Sequence, residues 1–127
     1  MKITDFGATV NGDETKLYTL TNCNNMEISV TDYGAALTQV IVPDKEGNLC
    51  DVVLGYDEAA EYEAGGLFLG ATVGRSANRI GGASIEINGK IYELVKNDND
   101  NNLHSGPDFY HNRVWDVKET EEDHVTF

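Results

Sequence analysis

Ile85-Glu86-Ile87-Asn88-Gly89-Lys90-Ile91-Tyr92-Glu93-Leu94 is the stretch that decides the fold. Asn88 and Gly89 tolerate the positive φ angles of a type I′ turn, the two-residue connection of a β-hairpin. That loop sets Ile87 opposite Lys90 and Ile85 opposite Tyr92. Ile85, Ile87, Tyr92 and Leu94 then share one face, and Glu86 and Glu93 fall on the other, with Ile91 the exception. One buried and one largely polar face is the expected pattern of an antiparallel sheet. A hairpin also brings its flanking segments back side by side. Gly74-Arg75-Ser76-Ala77-Asn78-Arg79-Ile80 and Asn101-Asn102-Leu103-His104-Ser105-Gly106 are therefore expected at the same end of one sheet. That places Arg79, a fixed cation with a planar fork of donors, beside His104, which exchanges a proton near neutrality. The pair suits a neutral, hydroxyl-rich ligand that needs orientation and proton transfer.

Outward from the hairpin, apolar residues mostly alternate, which is strand periodicity. Met26 to Val30 reads as one strand. Leu37 to Val42 reads as a second, closed by the turn cluster Pro43-Asp44-Lys45-Glu46-Gly47-Asn48. Asp51 to Gly55 reads as a third. Asp57 to Ala64 is the one helical turn, with Asp57 available as its cap, Gly65-Gly66 to end it and a solvated glutamate face. Near the C-terminus, Val114 to Val117 reads as a strand, Glu119 to Asp123 as a polar turn and His124 to Phe127 as a returning strand. No repeat or linker is evident. The pattern predicts an all-β fold, an antiparallel β-sandwich, in a single domain over 1–127. The returning strand at the end leads us to expect the front part of a longer protein; a short edge strand is the alternative.

Composition narrows the function. The chain has 127 residues, is 40% hydrophobic, and holds 22 acidic against 9 basic residues for a net charge of −13. Such a balance argues against a nucleic-acid phosphate backbone and against anionic membranes as partners. No apolar run approaches a membrane span. Cys23 and Cys50 lie far apart, with neither metal spacing nor a disulfide framework. The first residues turn polar too early for a signal peptide, so the cytoplasm is the expected compartment.

Several motifs carry little chemistry. Gly70-Ala71-Thr72-Val73-Gly74-Arg75 lacks the Gly-Lys-Ser/Thr of a phosphate loop and the spacing of a dinucleotide fingerprint. Its glycines read as tight turns or close backbone approach. Asp98-Asn99-Asp100-Asn101-Asn102 resembles the start of a calcium loop, but Leu103 and Phe109 stand where such a loop needs glycine and glutamate. It reads as a polar loop whose Asx side chains serve their own backbone. His104, His111 and His124 show no metal spacing, so no metal site is expected. Taken alone, His104 reads as either a structural or a catalytic loop histidine. Arg75 and Arg79 each read as a candidate salt-bridge partner, one of them against a carboxylate given the acid excess. Trp115 reads as core.

Together these residues resemble the aldose 1-epimerase (galactose mutarotase) family. The matching pieces run in order: Tyr33-Gly34-Ala35; Leu54-Gly55-Tyr56 with Tyr62; Leu69-Gly70-Ala71; Gly74-Arg75; Ala77-Asn78-Arg79-Ile80; the hairpin; Asn97; Asn102-Leu103-His104; and Val114-Trp115. The match is densest from Leu54 to Trp115. The resemblance implies a large antiparallel β-sandwich that interconverts α and β anomers of free aldohexoses such as galactose and glucose without a cofactor. Ring opening needs a base for the C1 hydroxyl proton and an acid for the ring oxygen. Arg79 would hold sugar hydroxyls by charge-assisted hydrogen bonds. His104, the catalytic candidate, would orient or polarise the ring oxygen, and Asn78 would help position the sugar.

Two departures qualify that expectation. The family reads His-Gly-Gly, then Gly-Phe and a Trp, where this chain has His104-Ser105-Gly106-Pro107-Asp108-Phe109-Tyr110. This alters the pocket rim and leaves the preferred sugar open. Family members are also much longer, and their second histidine and glutamate base lie downstream of the matching segment. Two alternatives to the enzyme follow: a non-catalytic carbohydrate-binding relative, or an inactive fragment.

Overall fold

The computed structural model describes all residues, 1–127. The backbone separates into two compact units. One comprises Met1–Thr72 with His111–Phe127, the other Val73–Tyr110.

The larger unit is built on a five-stranded antiparallel sheet in sequence order: β1 (Lys2–Ala8), β2 (Glu14–Thr21), β3 (Glu27–Thr31), β4 (Leu37–Pro43) and β5 (Leu49–Asp51). Phe6, Tyr33, Ala36, Ala59 and Tyr62 form its buried core, with Leu17, Tyr56 and Leu69 packed against them. Tyr62 anchors this cluster. Its ring meets Tyr56 edge-on at 5.1 Å, and its hydroxyl accepts the Tyr56 N–H at 3.2 Å. Burial in β2 and β3 does not follow apolar alternation, because hydroxyls fill the innermost places. Thr15, Ser29 and Thr31 are the largest fully buried side chains. The Thr15 hydroxyl donates to Gly7 O at 2.9 Å, Ser29 bonds Thr19 at 2.9 Å, and Thr31 Oγ1 accepts the Tyr33 N–H at 3.2 Å. Each buried hydroxyl is thereby satisfied, as a dry sheet face requires. β2 escapes the sequence reading for this reason, and β1 does so because Phe6 is its one buried residue.

The β3–β4 corner turns through left-handed residues, Gly34 at φ 67° and Ala35 at φ 46°. A Cβ at Gly34 would fall on the His111 backbone, so glycine serves both conformation and contact. The turn after β4 forms as expected: the Asp44 carboxylate accepts the Glu46 and Asn48 N–H groups, both at 2.8 Å.

Several elements differ from the sequence expectation. The third strand is β5, Leu49–Asp51, rather than Asp51 to Gly55. The helix α1 spans Ala59–Gly65 and begins at Glu58, with no side-chain cap; Asp57 is not its cap. Instead the Glu61 carboxylate accepts the Asp57 N–H at 2.9 Å, one residue before the helix start, and so ties down the entering chain. The helix ends at Gly66 in the left-handed region, as the glycine pair predicts. Val114 to Val117 is not a strand. It contributes an isolated bridge from Val114 to Tyr33, and Trp115 N–H donates to Asp32 O at 2.9 Å. The final segment pairs β10 (Glu119–Thr120) with β11 (Val125–Thr126).

The smaller unit holds the hairpin and a short ladder. β7 (Ser84–Ile87) pairs with β8 (Lys90–Glu93) in the expected register, Ile87 opposite Lys90 and Ile85 opposite Tyr92. Asn88 (φ 51°) and Gly89 (φ 76°) both take positive φ. The hairpin's apolar face, expected to be buried, is not: Ile87 is 51% and Tyr92 41% exposed. The hairpin also forms a sheet of its own. The segments carrying Arg79 and His104 meet in a separate two-residue ladder, β6 (Arg79–Ile80) against β9 (Asn102–Leu103).

Candidate functional site

β6 and β9 pair Arg79 with Leu103 and Ile80 with Asn102. A ladder this short cannot hold itself, and amide side chains reinforce it. Asn97 acts as an extra strand edge for Leu103: its Oδ1 accepts the Leu103 N–H at 2.6 Å and its Nδ2 donates to Leu103 O at 2.9 Å. Asn102, only 3% exposed, donates Nδ2 to Val95 O at 2.8 Å and Gly106 O at 2.9 Å. Gly106 is itself buried, and nothing larger fits its place. A Cβ there would collide with Asn97 Nδ2 and the Phe109 ring.

This frame presents the three residues predicted from sequence together. His104 N–H donates to Asn78 O at 2.9 Å, and Asn78 N–H donates back to His104 Nδ1 at 2.8 Å. Asn78 (φ 61°) and His104 (φ 52°) both lie in the left-handed region, which this reciprocal pair stabilises. Because Nδ1 accepts a hydrogen bond, the neutral imidazole carries its proton on Nε2. The ring is thus set as an Nε2–H donor. Arg79 completes the group, donating from Nη1 to Asn78 Oδ1 at 3.1 Å. Arg75 is exposed and makes none of these bonds.

Asp98 is the residue that sequence reasoning misses. The sequence assigns it only to a polar loop, yet its Oδ2 accepts the Arg79 Nε–H at 2.5 Å. The Arg79 side chain is 54% exposed and that of Asp98 24%. The acid excess signals a carboxylate for one arginine without saying which. Ser105, where the resemblance calls for glycine, adds a second link. Its hydroxyl accepts the Ser76 N–H at 2.9 Å and donates to Ser76 O at 3.3 Å. The extra hydroxyl ties the loop bearing His104 to the segment before Asn78.

His111 and His124 belong to the larger unit. His111 sits on a short 3₁₀ turn, its ring 4.6 Å edge-on to Phe68. His124 bonds Asp123 at 2.9 Å and faces Glu119 at 3.7 Å, and hydrogen bonding to Asp123 holds it above its ordinary pKa. No group of three or more His, Cys, Asp or Glu side chains is arranged to hold a metal ion.

The cluster can therefore offer a neutral imidazole N–H, a guanidinium edge and an amide to a polar ligand. The guanidinium has five N–H donors, of which the bonds to Asp98 and Asn78 commit two. The sequence model of the family described as aldose 1-epimerase matches residues 16–127. The chain belongs to the aldose 1-epimerase family. The aldose 1-epimerase of Streptococcus thermophilus is 39% identical over 101 residues, which cover 80% of this chain and 29% of that protein. The galactose mutarotase of Bos taurus is 35% identical over 92 residues, 72% of this chain and 27% of that protein. The crystal structure of an aldose epimerase homologue from C. elegans superposes with a TM-score of 0.81 at 32% identity, covering 87% of this chain and 34% of that one. The fold is thus all-β and galactose mutarotase-like. The chain spans about a third of the length of these epimerase relatives.

Proposed function

We propose that the protein carrying this chain is an aldose 1-epimerase, interconverting the α and β anomers of free hexoses such as galactose and glucose. The observation that carries this reading is the reciprocal Asn78–His104 hydrogen-bonded pair with Arg79 bound to the same asparagine. In this reading a base removes the C1 hydroxyl proton while an acid protonates the ring oxygen. The C1–O bond opens, the C1–C2 bond rotates, and the ring recloses on either face. Arg79 and Asn78 hold sugar hydroxyls. His104, donating from Nε2, polarises the ring oxygen as the bond to it breaks. No cofactor is required.

The same reading treats residues 1–127 as the N-terminal portion of a mutarotase-like sandwich. The base and second histidine come from outside them. It also assigns the protein to a reducing cytoplasm, where the exposed thiols of Cys23 and Cys50 persist.

Polarimetry of freshly dissolved α-galactose and α-glucose tests the proposal. The protein at its full natural length should accelerate mutarotation, and Arg79→Ala should remove about one to two orders of magnitude, the loss of charged hydrogen bonds. Residues 1–127 alone should accelerate it little. No acceleration at full length would defeat the enzymatic reading, and a sugar titration followed by NMR would then show whether the site binds without turnover.

A further inference from the structure

Arg79 is held by a carboxylate that nothing in the motif reading assigned. The Asp98 carboxylate uses both oxygens. Oδ2 takes the Arg79 Nε–H, and Oδ1 accepts from Asn99 Nδ2 at 3.4 Å. Its backbone is fixed as well. Asp98 N–H donates to Asn101 O at 3.2 Å, Asn101 N–H donates to Asp98 O at 2.9 Å, and Asn99 between them takes φ 54°. Asn97, the residue before it, clamps Leu103, and Leu103 is the ladder partner of Arg79. The two ends of the ion pair are thus anchored to one small frame. The guanidinium is gripped at Nε and at Nη1.

We propose that Asp98 is a positioning residue that acts through Arg79, fixing its outer edge toward the ligand and cancelling its charge so that the site takes neutral rather than anionic sugars. This rests on the epimerase reading above. A free arginine side chain carries rotamer entropy that a ligand would otherwise have to remove. Pinning Nε leaves Nη2 and the rest of Nη1 as directional donors for hydroxyls. The charge argument is separate from the geometric one. An isolated guanidinium would favour a uronate or a sugar phosphate over a neutral hexose. With a carboxylate at 2.5 Å, in a chain of net charge −13, that advantage is offset.

A double-mutant cycle in the full-length protein tests this, using mutarotation rate and sugar affinity. Asp98→Ala alone should lower turnover of galactose about tenfold. In an Arg79→Ala background the same change should do nothing further, since its effect runs through the arginine. Asp98→Asn keeps an oxygen for the Nε–H and serves if the alanine variant does not fold. It should retain more galactose turnover than Asp98→Ala, and its ratio of galacturonate to galactose affinity should rise several-fold. Additive losses from Asp98→Ala and Arg79→Ala, or full activity in Asp98→Ala, would overturn the positioning role. An unchanged galacturonate ratio in Asp98→Asn would overturn the charge-cancelling role. Full activity in Arg79→Ala would overturn the epimerase reading itself, and the inference with it.

Discussion

The five-stranded sheet and the β6–β9 ladder solve the same problem, satisfying the backbone of antiparallel strands, by different means. β1 to β5 do it with backbone pairing over long registers, such as five residue pairs between β2 and β3. Side chains there fill the interior and keep hydroxyls satisfied. β6 and β9 pair only two residues each, and Asn97 and Asn102 supply with side-chain amides what a longer ladder would supply with backbone. The difference teaches what each kind of pairing can hold. A long ladder places residues on a regular lattice, whereas a short one braced by amides can hold Asn78, His104 and Ser105 in left-handed backbone and aim them individually.

Removing a brace should cost more than removing a hydroxyl from the lattice. Asn102→Ala deletes two hydrogen bonds from a buried side chain and strands the carbonyls of Val95 and Gly106. We expect a loss of about 2–4 kcal/mol, read by denaturant unfolding, with faster amide exchange at Leu103 and His104. A loss no greater than that of the next variant would break the comparison. Thr15→Val, nearly isosteric and fully buried, removes only the bond to Gly7 O. It should cost about 1 kcal/mol. A thermal melt showing no change would mean that the hydroxyls of the sheet are ornaments of packing.

The smallest expected effect sharpens the contrast through pH. Asp32 is buried at the end of the β3 strand, accepts the Lys16 N–H at 2.9 Å and lies beside Tyr18. Burial raises its pKa above the ordinary carboxylate value, against the opposing pull of its hydrogen bonds. An acid raised on folding holds its proton more tightly when folded. Its contribution to stability is therefore greatest below the unfolded pKa and is lost as pH rises through the folded value. Asp32→Asn retains an oxygen for Lys16 but does not titrate. Its Tm relative to the parent should rise slightly from about pH 4 to about pH 7. A constant difference across that range would sink the assignment.

The sequence by itself determined the hairpin register, because an Asn-Gly turn leaves the two strands beside it no other pairing. It also determined the end of α1 at a glycine, the turn at Asp44 and, through the resemblance, that Asn78, Arg79 and His104 belong together. β2 was not legible, since Thr15 takes a fully buried place that apolar alternation does not mark, and β1 buries Phe6 alone, too little to show an alternation. Only the tertiary structure decided that Asp98 serves Arg79. Several carboxylates were equally available to that arginine in the sequence, and choosing one required the turn at Asn99 to bring it within 2.5 Å. It also decided that β6 and β9, rather than the hairpin's own sheet, join the arginine to the histidine. Local residue types set turns and faces, but which side chain satisfies which distant donor is a matter of closure in three dimensions.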